Sequence, residues 1–214
     1  MEISKLLIFV FCSLISLYLV EKLSVKFNFY DLPNKKKIHK EKTTKAAGLA
    51  LIPTIFLNLI FFDQSYQLSY FMIFLIVIIF FGFADDLLNF AALTKLLLLF
   101  IILSFFVVEV ITIKSLGYLF NKNLDLHIFS IPFTILCFLF LINSFNYFDG
   151  LDGLLGSLSL ISMIYFIYFS HGQLSFFLMS IIIYLIIFLF FNFGVLPKQF
   201  MGDSRSLGLG FIVS

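Results

Sequence analysis

The sequence predicts an all-α fold, a polytopic transmembrane helical bundle with about seven complete spans and the start of an eighth. Three observations carry this. Of the 214 residues, 62% are hydrophobic and only 12% are charged, about half the charged share of an ordinary soluble domain. The apolar residues fall in long runs near the length that crosses a bilayer, with no strand-length alternation of the kind a barrel needs. Only helices can supply so many spans while satisfying their own backbone groups in hydrocarbon.

Taken in order, the runs cover approximately Leu6–Leu23, Ala46–Phe62, Leu68–Ala84, Leu96–Ile113, Ile128–Ile142, Leu154–Phe169 and Phe176–Phe193. Several are short, which flanking residues accommodate by snorkelling. An eighth runs from about Leu207 to Ser214, too few residues to cross on its own. No small-residue cleavage site follows the first run, so it is read as a retained span and not as a signal peptide. Residues 1–214 form one membrane-embedded domain. Cys12 and Cys137 sit inside apolar runs without metal-ligand spacing and are read as small buried apolar residues.

Lysine and arginine set the orientation. Eight of the fourteen basic residues lie between Lys22 and Lys45, and before the first run there is only Lys5. The amino terminus is therefore expected outside and the basic loop inside. Alternation then puts Asp85–Lys95, Asn143–Gly153 and Gly194–Ser206 on the cytoplasmic side with that loop. Only Lys5, Lys114 and Lys122 remain outside. The location expected is a membrane, crossed many times.

This topology gathers Asp85, Asp86, Asp149, Asp152 and Asp203 on one face beside the lysines, whereas the outer loops hold only Asp63 and Asp125. Carboxylates at the ends of apolar helices are costly unless solvated, paired or binding a cation. Magnesium takes oxygen ligands and commonly bridges one or two carboxylates to substrate phosphates. Lysines offset the same phosphates. Charge and topology alone thus point to a phosphorylated, nucleotide-linked substrate at the cytoplasmic interface. A nucleic-acid partner is not expected. A transporter would place charge at mid-membrane, often within repeats; here Glu109 is the one acidic residue deep in a run, towards its outer end.

The loops are specific. Asn143-Ser-Phe-Asn146-Tyr-Phe-Asp149-Gly-Leu-Asp152-Gly153 places four polar residues at intervals of three, near one face if helical. Gly82-Phe-Ala-Asp85-Asp86 is followed by Lys95. Asp31-Leu-Pro33-Asn34 leads to Lys36, Lys37 and His39. Phe191-Asn192, Pro197 and Phe200-Met-Gly202-Asp203 form a fourth segment. These four, in this order, resemble the polyprenyl-phosphate N-acetylhexosamine-1-phosphate transferases of glycosyltransferase family 4, in the branch that uses simple UDP-N-acetylhexosamines.

The resemblance implies transfer of a sugar 1-phosphate from a UDP-N-acetylhexosamine to polyprenyl (undecaprenyl) phosphate in the bilayer of the bacterial inner membrane, with Mg2+ or Mn2+, at the start of cell-surface polysaccharide or wall polymer synthesis. It implies Asp203 as metal ligand. Asp85 and Asp86 become the base or lipid-phosphate-positioning pair. Asn146, Asp149, Asp152 and Asn192 hold the nucleotide sugar, and Lys36, Lys37, His39 and Lys95 contact phosphate. Departures are Lys36 where arginine is usual, Ala47-Gly48 for Gly-Gly, Lys42 and Thr44 for prolines, and Ser204-Arg205-Ser206 for x-Gly-Ser. Arg205 is expected to crowd the metal site; the alternative sets its cation against the diphosphate. The family's chains carry further spans and a later loop rich in His and Arg. The resemblance therefore implies an incomplete chain: an active transferase, alone or with a separately encoded C-terminal part or as a homodimer, or an inactive fragment or scaffold that binds nucleotide sugar or lipid.

Overall fold

In the computed structural model, residues 3–27, 30–31, 43–44, 46–62, 65–119, 122–149, 152–197, 199 and 202–214 are described. Helix α1 (Ile3–Lys26) is followed by two short strands, β1 (Tyr30–Asp31) and β2 (Thr43–Thr44), paired antiparallel. A 3₁₀ turn, Ala46–Leu51, leads into α2 (Ile52–Phe61), then α3 (Tyr66–Leu88) and α4 (Ala92–Glu109). A hairpin of β3 (Ser115–Leu119) and β4 (Lys122–Asp125) precedes α5 (Ser130–Phe148), α6 (Leu154–Phe169), α7 (Gln173–Asn192) and α8 (Gly202–Val213).

Each apolar run of the sequence lies on a helix, and the order is the expected one. Five helical segments are long and apolar enough to cross a membrane: α1, α3, α4, α5 with the turn before it, and α7. The runs assigned to α2 and α6 form shorter apolar helices. The hairpin was not expected. Its strands are four and five residues long and mostly exposed, so no apolar face imposes a period-2 pattern on the sequence.

Local chemistry sets the helix ends. Ser65 caps α3 by accepting the Leu68 N–H at 3.3 Å, and its own N–H donates to Gln173 Oε1 at 2.8 Å, tying the α2–α3 turn to the start of α7. Asn89 takes the left-handed conformation at the other end of α3 (φ 51°), where its N–H donates to the Asp85 carbonyl.

Helix α8 is the axis of the bundle. Every residue from Ser204 to Ile212 is buried, among α3, α5, α6 and the 3₁₀ turn. Phe211 stacks on Phe71 of α3 at 4.8 Å and meets Phe106 of α4 edge-on at 4.8 Å. The outward faces of the other helices carry large exposed apolar side chains, among them Phe11, Ile15, Phe105, Phe140 and Ile161, a surface suited to lipid and not to water. Buried polar groups pair between helices: Asn58 of α2 donates to Ser180 of α7 at 2.7 Å. Both cysteines are unbridged.

Candidate functional site

The helix ends that the topology assigned to one side meet at one end of the bundle. They are the C-termini of α3, α5 and α7 and the N-termini of α4, α6 and α8. The centre of the cluster is Lys95, in the first turn of α4. Its ammonium lies 2.6 Å from Asp85 Oδ2 and 2.8 Å from Asp203 Oδ2. Asp85 is held from behind, since its Oδ1 accepts the Phe90 N–H at 3.0 Å in the α3–α4 turn. The Asp85 side chain is 5% exposed and that of Lys95 11%, whereas Asp203 is 32% exposed. Asp203 is thus the more exposed of the two carboxylates.

Asn146 completes the cluster from the last turn of α5. Its amide satisfies every neighbour when the oxygen accepts from Lys95 Nζ at 3.0 Å and the nitrogen faces Asp203 Oδ1 at 2.7 Å and Ser206 Oγ at 2.6 Å. Ser206 was not anticipated. It lies three residues after Asp203 on α8, on the same helical face. Asp86 faces elsewhere: its two oxygens accept the backbone N–H groups of Asp203 and Ser204, at 3.0 and 3.1 Å.

The remaining candidates divide. Asp149 terminates α5, and its pKa is raised well above the ordinary carboxylate value by burial first, then by the charge of Asp203. The Arg205 charge and a hydrogen bond from the Gly202 backbone oppose the shift, and the Asp86 charge adds to it. Asp152 is exposed just before α6. Asn192 is buried; its oxygen accepts the Gly153 N–H and its nitrogen donates to the Gln199 carbonyl at 2.9 Å. Gln199 in turn donates to the Leu17 carbonyl of α1 at 2.9 Å. Asn192 therefore ties the start of α6 to the loop before α8. Lys36, Lys37 and His39 lie outside the described residues.

Arg205 neither enters the Lys95–Asp203 cluster nor faces outward. It is fully buried, with its guanidinium carbon 3.5 Å from the Phe188 ring centre and Nη2 donating to the Tyr184 hydroxyl at 2.7 Å, both on α7. At its position on α8, one residue beyond Ser204, the side chain turns into the bundle. A cavity of about 840 Å³, walled by Phe71, Phe106, Phe138 and Phe177, lies at the opposite end of the helices and contains none of the carboxylates discussed.

Among the described residues no three His, Cys, Asp or Glu side chains are grouped to hold a metal unaided. The cluster does fit a cation that keeps water and shares substrate oxygens. Asp85 and Asp203 offer carboxylate oxygens, and both already converge on one positive charge, the Lys95 ammonium.

A family model described as Glycosyl transferase family 4 matches residues 68–214. The chain belongs to glycosyl transferase family 4. The matched region runs from α3 through α8 and contains the entire Asp85–Lys95–Asn146–Asp203 cluster. Membership in glycosyl transferase family 4 supports phospho-sugar transfer onto a lipid carrier at a general level, in keeping with the apolar helices of this chain. No curated protein matches the sequence.

Proposed function

We propose that this glycosyl transferase family 4 chain transfers N-acetylhexosamine 1-phosphate from a UDP-sugar to polyprenyl phosphate at the cytoplasmic face of the bacterial inner membrane. The observation that carries the proposal is the convergence of Asp85, Lys95 and Asp203 from three helices, on an end of the bundle flanked in sequence by the lysine-rich loop. An arrangement with the amino terminus outside agrees with the lysine asymmetry.

In the reaction, an oxygen of the lipid phosphate attacks the sugar-bound phosphorus of the UDP-sugar. The bond from that phosphorus to the bridging oxygen breaks, and UMP leaves with the electron pair. Both reactants are anions, so positioning and charge neutralisation set the rate. Lys95 places one cation at the centre of the cluster. Lys36, Lys37 and His39 are proposed to contact the diphosphate, and Asn146, Asp149, Asp152 and Asn192 to form or support the nucleotide side of the site. Asp85, pinned by Phe90 and Lys95, is proposed to align the lipid phosphate or accept its proton. Asp203, with Asp85 adjacent, would hold Mg2+ or Mn2+, which would supply further neutralisation of the diphosphate.

The test is exchange of labelled UMP into UDP-N-acetylglucosamine in membranes containing polyprenyl phosphate. Exchange that needs both the lipid and a divalent cation, and is lost in Asp203→Asn, supports the proposal. Cation-dependent UDP-sugar binding without exchange would establish a non-catalytic binding protein instead.

A further inference from the structure

Asp85 and Asp86 read in sequence as one acidic pair, but consecutive residues on a helix point about 100° apart, and the structure gives them different surroundings. Asp85 faces the Lys95 ammonium and the α3–α4 turn. Asp86 faces the backbone at the start of α8. A helix N-terminus leaves its first N–H groups without intrahelical partners, and the Asp86 carboxylate takes two of them, from Asp203 and Ser204. This is a cap supplied by another helix, with its charge at the positive end of the α8 dipole.

The backbone is shaped for this contact. Gly82 stands one turn before Asp86 on the same face of α3, and a Cβ there would lie 2.6 Å from the Asp203 carbonyl oxygen and from Ser204 Cα. Across α8, a Cβ on Gly48 would lie 2.5 Å from the Ser204 carbonyl carbon. Two residues without side chains let α8 close on its neighbours, and Asp86 fixes where along α3 its first turn sits. Asp203, whose own N–H is one of the two bonds, is set in place by that contact.

We infer that Asp86 is a positioning residue, which holds Asp203 by capping α8, and that Asp85 is the member of the pair that faces the reacting groups. The role of Asp85 rests on the transferase reading; the capping role of Asp86 does not.

The experiment uses the full chain in lipid nanodiscs, with Asp86→Asn as the mild variant, Asp86→Ala as the severe one, and Asp85→Asn and Asp203→Asn for comparison. Three readouts are taken: hydrogen exchange of the first turn of α8, Mn2+ binding followed by electron paramagnetic resonance, and UMP exchange across a Mg2+ titration. In Asp86→Asn, the Asp203 and Ser204 amides are expected to lose protection, as they do not in Asp85→Asn. Mn2+ affinity is expected to fall about 10–100-fold, the usual cost of losing a group that orients a metal ligand. At saturating Mg2+, kcat should return to within about tenfold of wild type. Unchanged amide protection in Asp86→Asn would overturn the inference. So would a kcat loss of about a hundredfold or more that saturating Mg2+ does not restore, the size expected of a lost acid–base group. If Asp86→Ala does not fold, Asp86→Asn still decides. If wild type binds Mn2+ but exchanges no UMP, the transferase reading fails while the first two readouts still judge the cap.

Discussion

Replacing Lys95 by Met removes the one positive charge between Asp85 and Asp203 while keeping most of the side-chain volume. At 2.6 and 2.8 Å, each contact has a gross attraction of about 6 kcal/mol at an effective dielectric of about 20. Desolvation of three charged groups offsets most of that sum. Measured losses on breaking a buried ion pair are about 3–5 kcal/mol, because the partner charge is left stranded. Asp203 is 32% exposed and keeps some water, so the lower end applies, about 3 kcal/mol. For a chain of this size that corresponds to a fall in Tm of about 6–12 °C on soluble-protein scaling. A divalent cation should recover part of the loss, since it would settle between the same two carboxylates. The assay is thermal unfolding in lipid nanodiscs, in excess chelator and in millimolar Mg2+. A Lys95→Met protein that melts with wild type in chelator would show that the triad is not an energetic unit. One that is destabilised but gains no more from Mg2+ than wild type does would show that the carboxylates are not a cation site.

Asp203→Asn should weaken the dependence of UDP-sugar binding on divalent cation, whereas Glu109→Gln, on an exposed residue at the end of α4, should leave binding nearly unchanged; isothermal titration in chelator and in Mg2+ separates them, and a large loss in Glu109→Gln would favour transport. Gly82→Val should undock the start of α8, since its Cβ would meet backbone within 2.6 Å; overpacking of this kind costs about 1–3 kcal/mol or more, read as a lower Tm and as faster exchange of the Asp203 amide. The folded-state pKa of Asp149 lies above its unfolded value, so between those values the folded state binds more protons and stability falls as pH rises. Asp149→Asn should remove that slope and raise Tm at neutral pH; identical Tm–pH curves for the two proteins would contradict the burial of this carboxyl. Reporter fusions after Lys45, Leu93, Gly153 or Lys198 should report the cytoplasm, and fusions near Gln64, Lys122 or His171 the outside; a single loop consistently on the wrong side would break the shared-face topology.

The helices were legible because a bilayer enforces them: an apolar run near twenty residues has few alternatives. The shared end of the bundle was legible for the same reason, since alternation along the chain fixes which loops lie together. Spacing also served inside one element. Asn143 and Asn146 do lie on one helix, and Asn143 donates to the Leu139 carbonyl four residues back at 2.7 Å. Spacing did not show that Lys95 would meet Asp203, 108 residues later, because that contact depends on how α4 and α8 pack. The same limit hid the division between Asp85 and Asp86 and the structural pairing of Asn192 with Gly153. Arg205 was read against the metal site by its nearness in sequence to Asp203. Two residues along a helix turn a side chain by about 200°, and this one faces α7 instead.

Helix α8 explains why the site needs so many small residues around one carboxylate. Without a hydrophobic force between helices in lipid, close packing and hydrogen bonds must hold them. A long side chain at position 48 or 82 would separate the backbones and place the α8 amides beyond reach of Asp86. With glycine at both, the first turn of α8 meets α3 at hydrogen-bonding distance, and Asp203 emerges from a backbone that is fixed on two sides. Lys95 and Asn146 then reach Asp203 from α4 and α5, so four helices, α3, α4, α5 and α8, must be docked before the cluster exists. A charge cluster assembled this way is coupled to the fold. Changes at Gly82, which touches no substrate in this reading, should therefore alter cation affinity as well as stability, and the two effects should scale together across substitutions of increasing size.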